Sequence, residues 1–127
     1  MADVFGEESR PLGHAYLDAL LGREDFWAFA ALVGDEIAGG VTAYELPLTR
    51  TPSSELFIYD VAVRPEYRRR GVGRSLIQAL LDAARAAGVR EAFVPADDED
   101  EHALDFYRAL GGVASPVTFY GFRMEDG

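Results

Sequence analysis

The chain has 127 residues, of which 49% are hydrophobic and 27% are charged. That length provides for one hydrophobic core, so we expect a single domain over residues 1–127. No stretch comes near the roughly 18 consecutive apolar residues of a membrane helix, and the first residues have no basic-then-apolar leader pattern. These features exclude a membrane partner and predict a cytoplasmic protein.

The missing residue types exclude several kinds of chemistry. There is no cysteine, so no disulfide, thiolate nucleophile or zinc–thiolate site is available. All 12 basic residues are arginine, so no lysine forms a Schiff base or completes a nucleotide P-loop. The net charge of −10 repels nucleic acid and attracts polycations. His14 and His102 lie far apart in sequence, and no metal site is expected.

Hydrophobic periodicity and turn residues predict the elements in chain order. They are a helix at 14–21, a β-hairpin of 26–33 and 37–46, a third strand at 55–63, a long helix around 76–84 that Gly88 ends, a strand at 91–96, a helix at 103–110 and a closing strand at 117–124. This order predicts an α/β (α+β) fold. Its mixed, mostly antiparallel sheet has one parallel strand–helix–strand crossover and helices on both faces.

The most informative segment is residues 64–75, here called the arginine turn, which joins the third strand to the long helix. It holds five of the 12 arginines. Gly71 and Gly73 allow a ligand close to the backbone, and the first N–H groups of the following helix are unpaired at the positive end of its dipole. These features favour a phosphate or pyrophosphate site. The alternative is a tight turn with solvated arginines.

The pattern Arg68-x-x-Gly71-x-Gly73 follows the strand Phe57 to Val63 and precedes the helix Ala103 to Gly111. Together these residues resemble the acetyl-CoA-binding core of the GNAT acyltransferases. Ser54 to Asp60, Ala96-Asp97 and Leu46-Pro47 are similar to the type I aminoglycoside 3-N-acetyltransferases. The narrower similarity extends back to about Phe5-Gly6.

The resemblance implies a GNAT-like fold and acetyl-CoA as cosubstrate. It implies that the backbone of Val61 to Val63, with Ala62 between them, meets the pantetheine arm and that Tyr107 stands near the thioester sulfur. Tyr107 would then act as the acid, whereas its helical spacing alone suits a core tyrosine. The residues implied around the pyrophosphate are Arg68, Arg69, Arg70, Gly71, Val72, Gly73, Arg74 and Ser75.

Two features of the strands point to the same site independently. Pro95 has no N–H to donate, so strand pairing should fail near it and leave a gap beside Val61 to Val63. Asp60 is a carboxylate in an apolar strand, where burial of its charge is costly. This position favours a role as a catalytic base. The alternative is a structural aspartate that is hydrogen-bonded to the end of a neighbouring strand. In the aminoglycoside family the matching aspartate sits at the substrate amine. Glu55 is the second candidate, further from the gap.

The acidic run at residues 97–101 has two interpretations. Carboxylates in the first turn of a helix stabilise its dipole, or Asp97, Asp98 and Glu99 bind a cationic substrate beside the gap. The sequence therefore predicts an acetyl-CoA-dependent N-acetyltransferase acting on a cationic small-molecule amine, most simply by 3-N-acetylation of an aminoglycoside. The alternatives are acetylation of a polyamine or a protein amine, and a non-catalytic CoA-binding module.

The segment starting at Phe5-Gly6 has only four residues before it, whereas GNAT acyltransferases begin with a further strand and helix. We therefore expect the family's first strand to be missing. The strand at 26–33 then forms an exposed edge or pairs with a second copy, and we expect a homodimer.

Overall fold

The computed structural model describes residues 14–124. The chain divides into two compact units, one up to Pro95 and one from Ala96 onward, and our expectation of a single domain stays a prediction. None of the helices between residues 14 and 124 is long and apolar enough to span a membrane.

The first unit contains most of the predicted elements. In chain order they are α1 His14–Leu21, β1 Phe26–Val33, β2 Glu36–Pro47, β3 Ser54–Val63, a 3-10 turn Pro65–Tyr67, α2 Val72–Ala86 and β4 Glu91–Phe93. The strands form one sheet in the order β1-β2-β3-β4. The β1–β2 and β2–β3 pairs are antiparallel, and β3–β4 is parallel. This confirms the predicted mixed sheet with its single crossover through α2.

The core of the first unit lies between the sheet and α2. Apolar residues at helical spacing give α2 one buried face, which comprises Val72, Leu76, Ile77, Leu80 and Ala84. On the sheet, Val41, Ala43 and Leu56 have no exposed surface. Each fully buried valine or leucine side chain of this kind contributes about 1.5–3 kcal/mol to stability.

Gly39 lets the first turn of α2 approach β2 closely. A Cβ at this position would lie 2.7 Å from the carbonyl oxygen of Ala62 and 3.2 Å from Cγ1 of Val72. The first of these distances is shorter than a Cβ tolerates, so a side chain here would push β3 or the helix away. Gly39 therefore fixes where α2 begins relative to the sheet.

The opposite sheet face meets α1. This helix packs against β1, and its Tyr16 acts electrostatically on Tyr44 of β2. Tyr44 alternates with Ala43 along the strand and so points away from α2. The first unit thus has helices on both faces of its sheet, as predicted.

The second unit contains one helix, α3 Glu101–Ala109. The side chain of Asp100 caps it by accepting a 3.1 Å hydrogen bond from the N–H of Ala103. The predicted closing strand at 117–124 is wrong, because these residues form no strand. Their apolar side chains are exposed, with Phe119 at 75% and Phe122 at 81%. An alternating pattern becomes a strand only where another strand can pair with it.

Among the described residues, β1 and β4 are the two edge strands of the sheet. The expectation of a missing first strand falls on residues 1–13, which lie outside the described part of the chain. The exposed edge, or its pairing with a second copy, therefore stays a prediction.

Candidate functional site

The second half of β3 has a strand partner on one side only, within the part of the chain that the structure describes. The parallel pairing of β4 with β3 covers only Glu55 to Phe57, opposite Glu91 to Phe93. The remaining residues of β3, 58–63, pair with β2 except at Tyr59 and have no partner on β4. We call this segment the open stretch. Its position agrees with the gap predicted from Pro95. Its backbone groups that face away from β2 are available to an extended ligand, apart from the carbonyl of Val63, which accepts a hydrogen bond from Arg68.

A β-bulge interrupts the open stretch at Tyr59. Thr42 lies opposite Asp60 while Ala43 lies opposite Ile58, which leaves Tyr59 as the extra residue of β3. Leu56 and Ile58 point toward α2 and are buried, so the bulge places Tyr59 and Asp60 together on the other face. The carboxylate of Asp60 is thereby kept out of the apolar core.

The environment of Asp60 suits a proton acceptor. Partial burial raises the pKa of Asp60 above its ordinary value, and the hydroxyl of Thr42 directly opposite acts in the lowering direction. A carboxylate with a raised pKa is a stronger base than an ordinary one. The site residue predicted from the strand pattern therefore lies on an accessible face and in a setting that favours proton transfer.

Aromatic rings cover the sheet face that carries Asp60. Directly opposite residues form a row across all four strands, which we call the aromatic row: Phe26, Tyr44, Phe57 and Phe93. Tyr59 joins this row, with its ring centroid 5.7 Å from that of Tyr44 and 5.5 Å from that of Phe57. Phe57 and Tyr59 alternate along the third strand, and this period-two spacing of aromatic residues is the sequence signal that could have revealed the surface.

The arginine turn has the backbone of an anion site. Gly71 is the N-cap residue of α2, and its backbone lies in the left-handed region with a φ of 78°. Because glycine has no side chain, the first N–H groups of the helix receive no hydrogen bond from the cap residue. The first intrahelical bond runs from the N–H of Ser75 to the carbonyl of Gly71, so the N–H groups of Val72, Gly73 and Arg74 have no partner within the helix. They lie at the positive end of a 15-residue helix, where an anion is favoured.

The five arginines of the turn divide into two groups. Arg64 donates to the carbonyl of Ile37 at 3.3 Å, and Arg68 donates to that of Val63 at the same distance. The guanidinium of Arg70 lies 5.4 Å from the ring centroid of Tyr67. Within the described residues, Arg69 and Arg74 make no hydrogen bond or ion pair with another side chain. These two are therefore best placed to bind a phosphate group.

Arg69 also has a strained backbone. Its φ is 66°, in the left-handed region, which costs a non-glycine residue about 1–2 kcal/mol. Tyr67, two residues earlier, anchors the turn through a hydrogen bond from its hydroxyl to the carboxylate of Glu36. A fixed turn that holds an arginine in an unfavourable conformation is a common feature of binding sites.

Glu55 is separated from Asp60. It lies opposite Glu91 at the paired end of β3, and five residues of strand correspond to roughly 16 Å. Next to it, the carboxylate of Glu45 accepts hydrogen bonds from Trp27 at 3.2 Å and Ser54 at 2.6 Å. The structure therefore does not bring Glu55 to the open stretch, and the sequence did not reveal the role of Glu45 in tying β1, β2 and β3 together.

The acidic run belongs to the second unit and makes local hydrogen bonds. The side chain of Asp97 accepts a 2.9 Å bond from the N–H of Glu99, and Asp100 caps α3. The carboxylates of Asp98 and Glu99 are exposed. Both interpretations of the run therefore stay open. Between residues 14 and 124, no three carboxylate or imidazole side chains are grouped as metal ligands.

Tyr107 lies on α3 and is half-buried, with its ring 5.1 Å from that of Phe106. Burial and then the charge of Asp100 raise the pKa of Tyr107 above its ordinary value. The phenol is therefore protonated at neutral pH and available as a proton donor.

Comparison with solved structures finds close likenesses among aminoglycoside acetyltransferases from uncultured soil metagenomic samples. One is 39% identical, with a TM-score of 0.87, and the match covers 97% of this chain and 87% of that chain. A second is 31% identical, with a TM-score of 0.88, and the match covers 94% and 80% of the two chains. The second was solved in complex with trehalose and with sisomicin.

Among curated proteins, the N-alpha-acetyltransferase RimI of Mycobacterium tuberculosis is 38% identical over 64 residues. That match covers 50% of this chain and only 39% of the mycobacterial enzyme. The model of the acetyltransferase (GNAT) family matches residues 2–111. This match spans most of the sequence, and the sheet, the crossover and the arginine turn agree with it. The chain therefore belongs to the acetyltransferase (GNAT) family.

Proposed function

We propose that this protein transfers an acetyl group from acetyl-CoA to an amine of a polycationic small molecule, an aminoglycoside acetylated at its 3-amino group. GNAT acetyltransferases use acetyl-CoA. The observation that carries the proposal is the place of Asp60, on an accessible sheet face within the unpaired half of β3. The likeness to aminoglycoside acetyltransferases over more than nine-tenths of the chain supports the substrate class.

The residues of the first unit fit acetyl-CoA. The backbone of Val61, Ala62 and Val63 has no β4 partner and suits the amide groups of the pantetheine arm. The arginine turn follows directly, and its free helix N–H groups together with Arg69 and Arg74 suit the pyrophosphate. An extended ligand lying along β3 would thus meet complementary groups from its thioester end to its phosphates.

Asp60 and Tyr107 have separate tasks in the proposed reaction. Asp60 accepts a proton from the acceptor ammonium, which leaves a neutral nitrogen able to attack the thioester carbonyl. The carbon–sulfur bond breaks as the new carbon–nitrogen bond forms, and the hydroxyl of Tyr107 donates a proton to the departing thiolate. The nitrogen loses its second proton to water as the amide forms, and water returns a proton to the Tyr107 phenolate. Because the chain has no cysteine, direct transfer without a cysteine-linked acyl enzyme is the mechanism that its residues suit.

Charge supports a cationic acceptor. The chain carries −10 net charge, although its proposed phosphate-binding turn is rich in arginine, so the rest of the surface attracts cations. Asp97, Asp98 and Glu99 are candidates for binding the other amines of the substrate. The mycobacterial relative is named as an N-alpha-acetyltransferase, and acetylation of a protein amine is therefore the second candidate.

Thiol release with a panel of amines tests the proposal. Because the protein has no cysteine, a thiol reagent detects only the CoA released. We expect gentamicin to give turnover well above that of spermidine or a peptide amine, with acetylation of the 3-amino group identified by NMR of the product. Turnover with the peptide alone would favour the second candidate. CoA binding without turnover of any amine would indicate a non-catalytic module.

The acid role of Tyr107 has its own test. Tyr107→Phe keeps the ring and removes the proton donor, so we expect turnover to fall by about 10² while the acetyl-CoA affinity stays the same. Phe106→Leu, a ring change beside it, is the matched control for packing. Equal turnover in Tyr107→Phe and the parent protein would remove Tyr107 from the mechanism.

We also propose that the protein is a homodimer. Leu32 and Val33 at the end of edge strand β1 are 65% and 40% exposed, and unpaired edges are usually covered. Sedimentation velocity at micromolar concentration should give the mass of two chains. A single species at the mass of one chain would contradict the dimer without affecting the catalytic proposal.

A further inference from the structure

Tyr44 and Tyr59 share the sheet face of Asp60, and Tyr16 lies on α1, which packs against β1. The proposed chemistry gives none of these three tyrosines a task. The rings of Tyr44 and Tyr59 meet edge to face, with their planes at 87°. Burial first, and then Tyr16, Tyr59 and Asp60, raise the pKa of Tyr44. The strand register places Asp60 opposite Thr42, two residues along β2 from Tyr44. We call this group, Tyr16, Tyr44, Tyr59 and Asp60, the tyrosine corner.

The fold does not require the ring of Tyr59. Tyr59 is the extra residue of the bulge, and without it Ile58 would still face α2 while Asp60 would still face away. Its side chain is 59% exposed, and that of Tyr16 is 60% exposed. A bulge disrupts the strand ladder locally, and here it places a large aromatic ring on the surface directly beside a carboxylate. This arrangement calls for an explanation in binding rather than in packing.

The chemistry of the tyrosine corner suits one kind of ligand. Organic cations bind over the faces of aromatic rings, and the attraction increases when the cation is partly removed from water. Asp60 adds a negative charge at the same place, and among the residues that the structure describes its carboxylate forms no ion pair with an arginine. An ammonium group flanked by hydrocarbon, as in an amino sugar, would meet both the rings and the carboxylate.

We propose that the tyrosine corner binds the acceptor's ammonium group by cation–π contacts and thereby selects substrates that carry an ammonium group beside hydrocarbon over neutral molecules of the same shape. This proposal rests on the proposed function, because it identifies the corner with the acceptor site of that reaction. Tyr59 is a specificity-determining residue in this account, and Asp60 receives the proton of the ammonium held beside it.

Choline provides a probe that cannot itself be acetylated on nitrogen. Its neutral isostere, 3,3-dimethylbutan-1-ol, has the same shape without the charge. We expect choline to bind the parent protein at millimolar to tens-of-millimolar concentration. NMR shifts of the tyrosine ring protons measure this binding. The neutral isostere should bind at least about tenfold more weakly. Equal binding of the two probes, or no binding of choline, would overturn the proposal.

Variants of Tyr59 distinguish a binding role from a packing role. Tyr59→Leu should weaken choline binding about fivefold to tenfold, whereas Tyr59→Phe should preserve it because the ring remains. Thermal melting of each variant checks that it is folded.

Steady-state kinetics with the amine that the protein acetylates completes the test. Tyr59→Leu should raise the KM for this amine about fivefold to tenfold while turnover changes little, since the ring binds the substrate and does not transfer a proton. An unchanged KM would overturn the tyrosine corner while leaving the proposed function intact. Choline binding together with no acetylation of any amine would instead contradict the proposed function and leave the cation site in place.

Discussion

The two halves of β3 differ in their neighbours and in what they do. The first half, up to Phe57, has β2 on one side and β4 on the other and contributes the fully buried Leu56 to the core. The open stretch has one neighbour, contains a bulge and carries Asp60. A strand paired on both sides is rigid, whereas unpaired backbone is available to a ligand. One strand therefore supports the fold with its first half and forms the site with its second.

The largest expected effect is on stability, in the paired half. Leu56→Ala removes a side chain with no exposed surface, and we expect the free energy of unfolding to fall by about 2–5 kcal/mol. Turnover per folded molecule should remain near that of the parent protein below the melting temperature. Urea denaturation followed by circular dichroism measures the loss. A decrease in turnover as large as that of Asp60→Asn would contradict the division of the strand.

Asp60→Asn should give the reverse result in the open stretch. We expect turnover at pH 7 to fall by about 10² or more, with acetyl-CoA affinity unchanged. Thiol release and calorimetry measure the two effects. Near-normal turnover on every amine would exclude Asp60 as the base, and loss of acetyl-CoA affinity would point to a disturbed bulge.

The same variant has a predicted pH dependence of stability. Burial raises the pKa of Asp60 above its ordinary value of 3.8, so the folded protein favours the neutral carboxyl. The parent protein gains stability from this difference below the ordinary pKa and loses it as the pH rises through the raised pKa. Asp60→Asn should therefore melt at a higher temperature than the parent protein at pH 7. The difference between the two melting temperatures should disappear as the pH falls below 3.8.

A smaller effect is expected in the arginine turn, where the open stretch ends. Arg69→Ala and Arg69→Gly should both weaken acetyl-CoA binding several-fold, and more at low salt, because both remove a charge beside the pyrophosphate. Arg69→Gly should be the more stable of the two by about 1 kcal/mol, since its φ of 66° suits glycine. Calorimetry and thermal melting measure the two effects.

Arg85→Ala is the matched control for these variants. Arg85 lies in the last turn of the same helix and pairs with Asp82 at 2.9 Å on the surface. Its removal should leave acetyl-CoA affinity unchanged. An equal loss in Arg85→Ala would mean that only the net charge of the protein matters and would remove Arg69 from the site.

The sequence by itself determined the features that depend on local pattern. Helical spacing located α1, α2 and α3, alternation and turn residues located β1, β2 and β3, and Pro95 predicted where pairing with β4 would end. The glycines and arginines before α2 predicted an anion site because helix N-termini have the same unpaired N–H groups in every fold.

Only the tertiary structure decided the features that depend on distant partners. The register of β3 against β2 creates the bulge at Tyr59, and contacts with Ile37, Val63 and Tyr67 occupy three of the arginines. Residues 117–124 have a strand pattern and yet form no strand. Side-chain periodicity is a property of the chain alone, whereas register and pairing require a second segment whose position the local sequence does not contain.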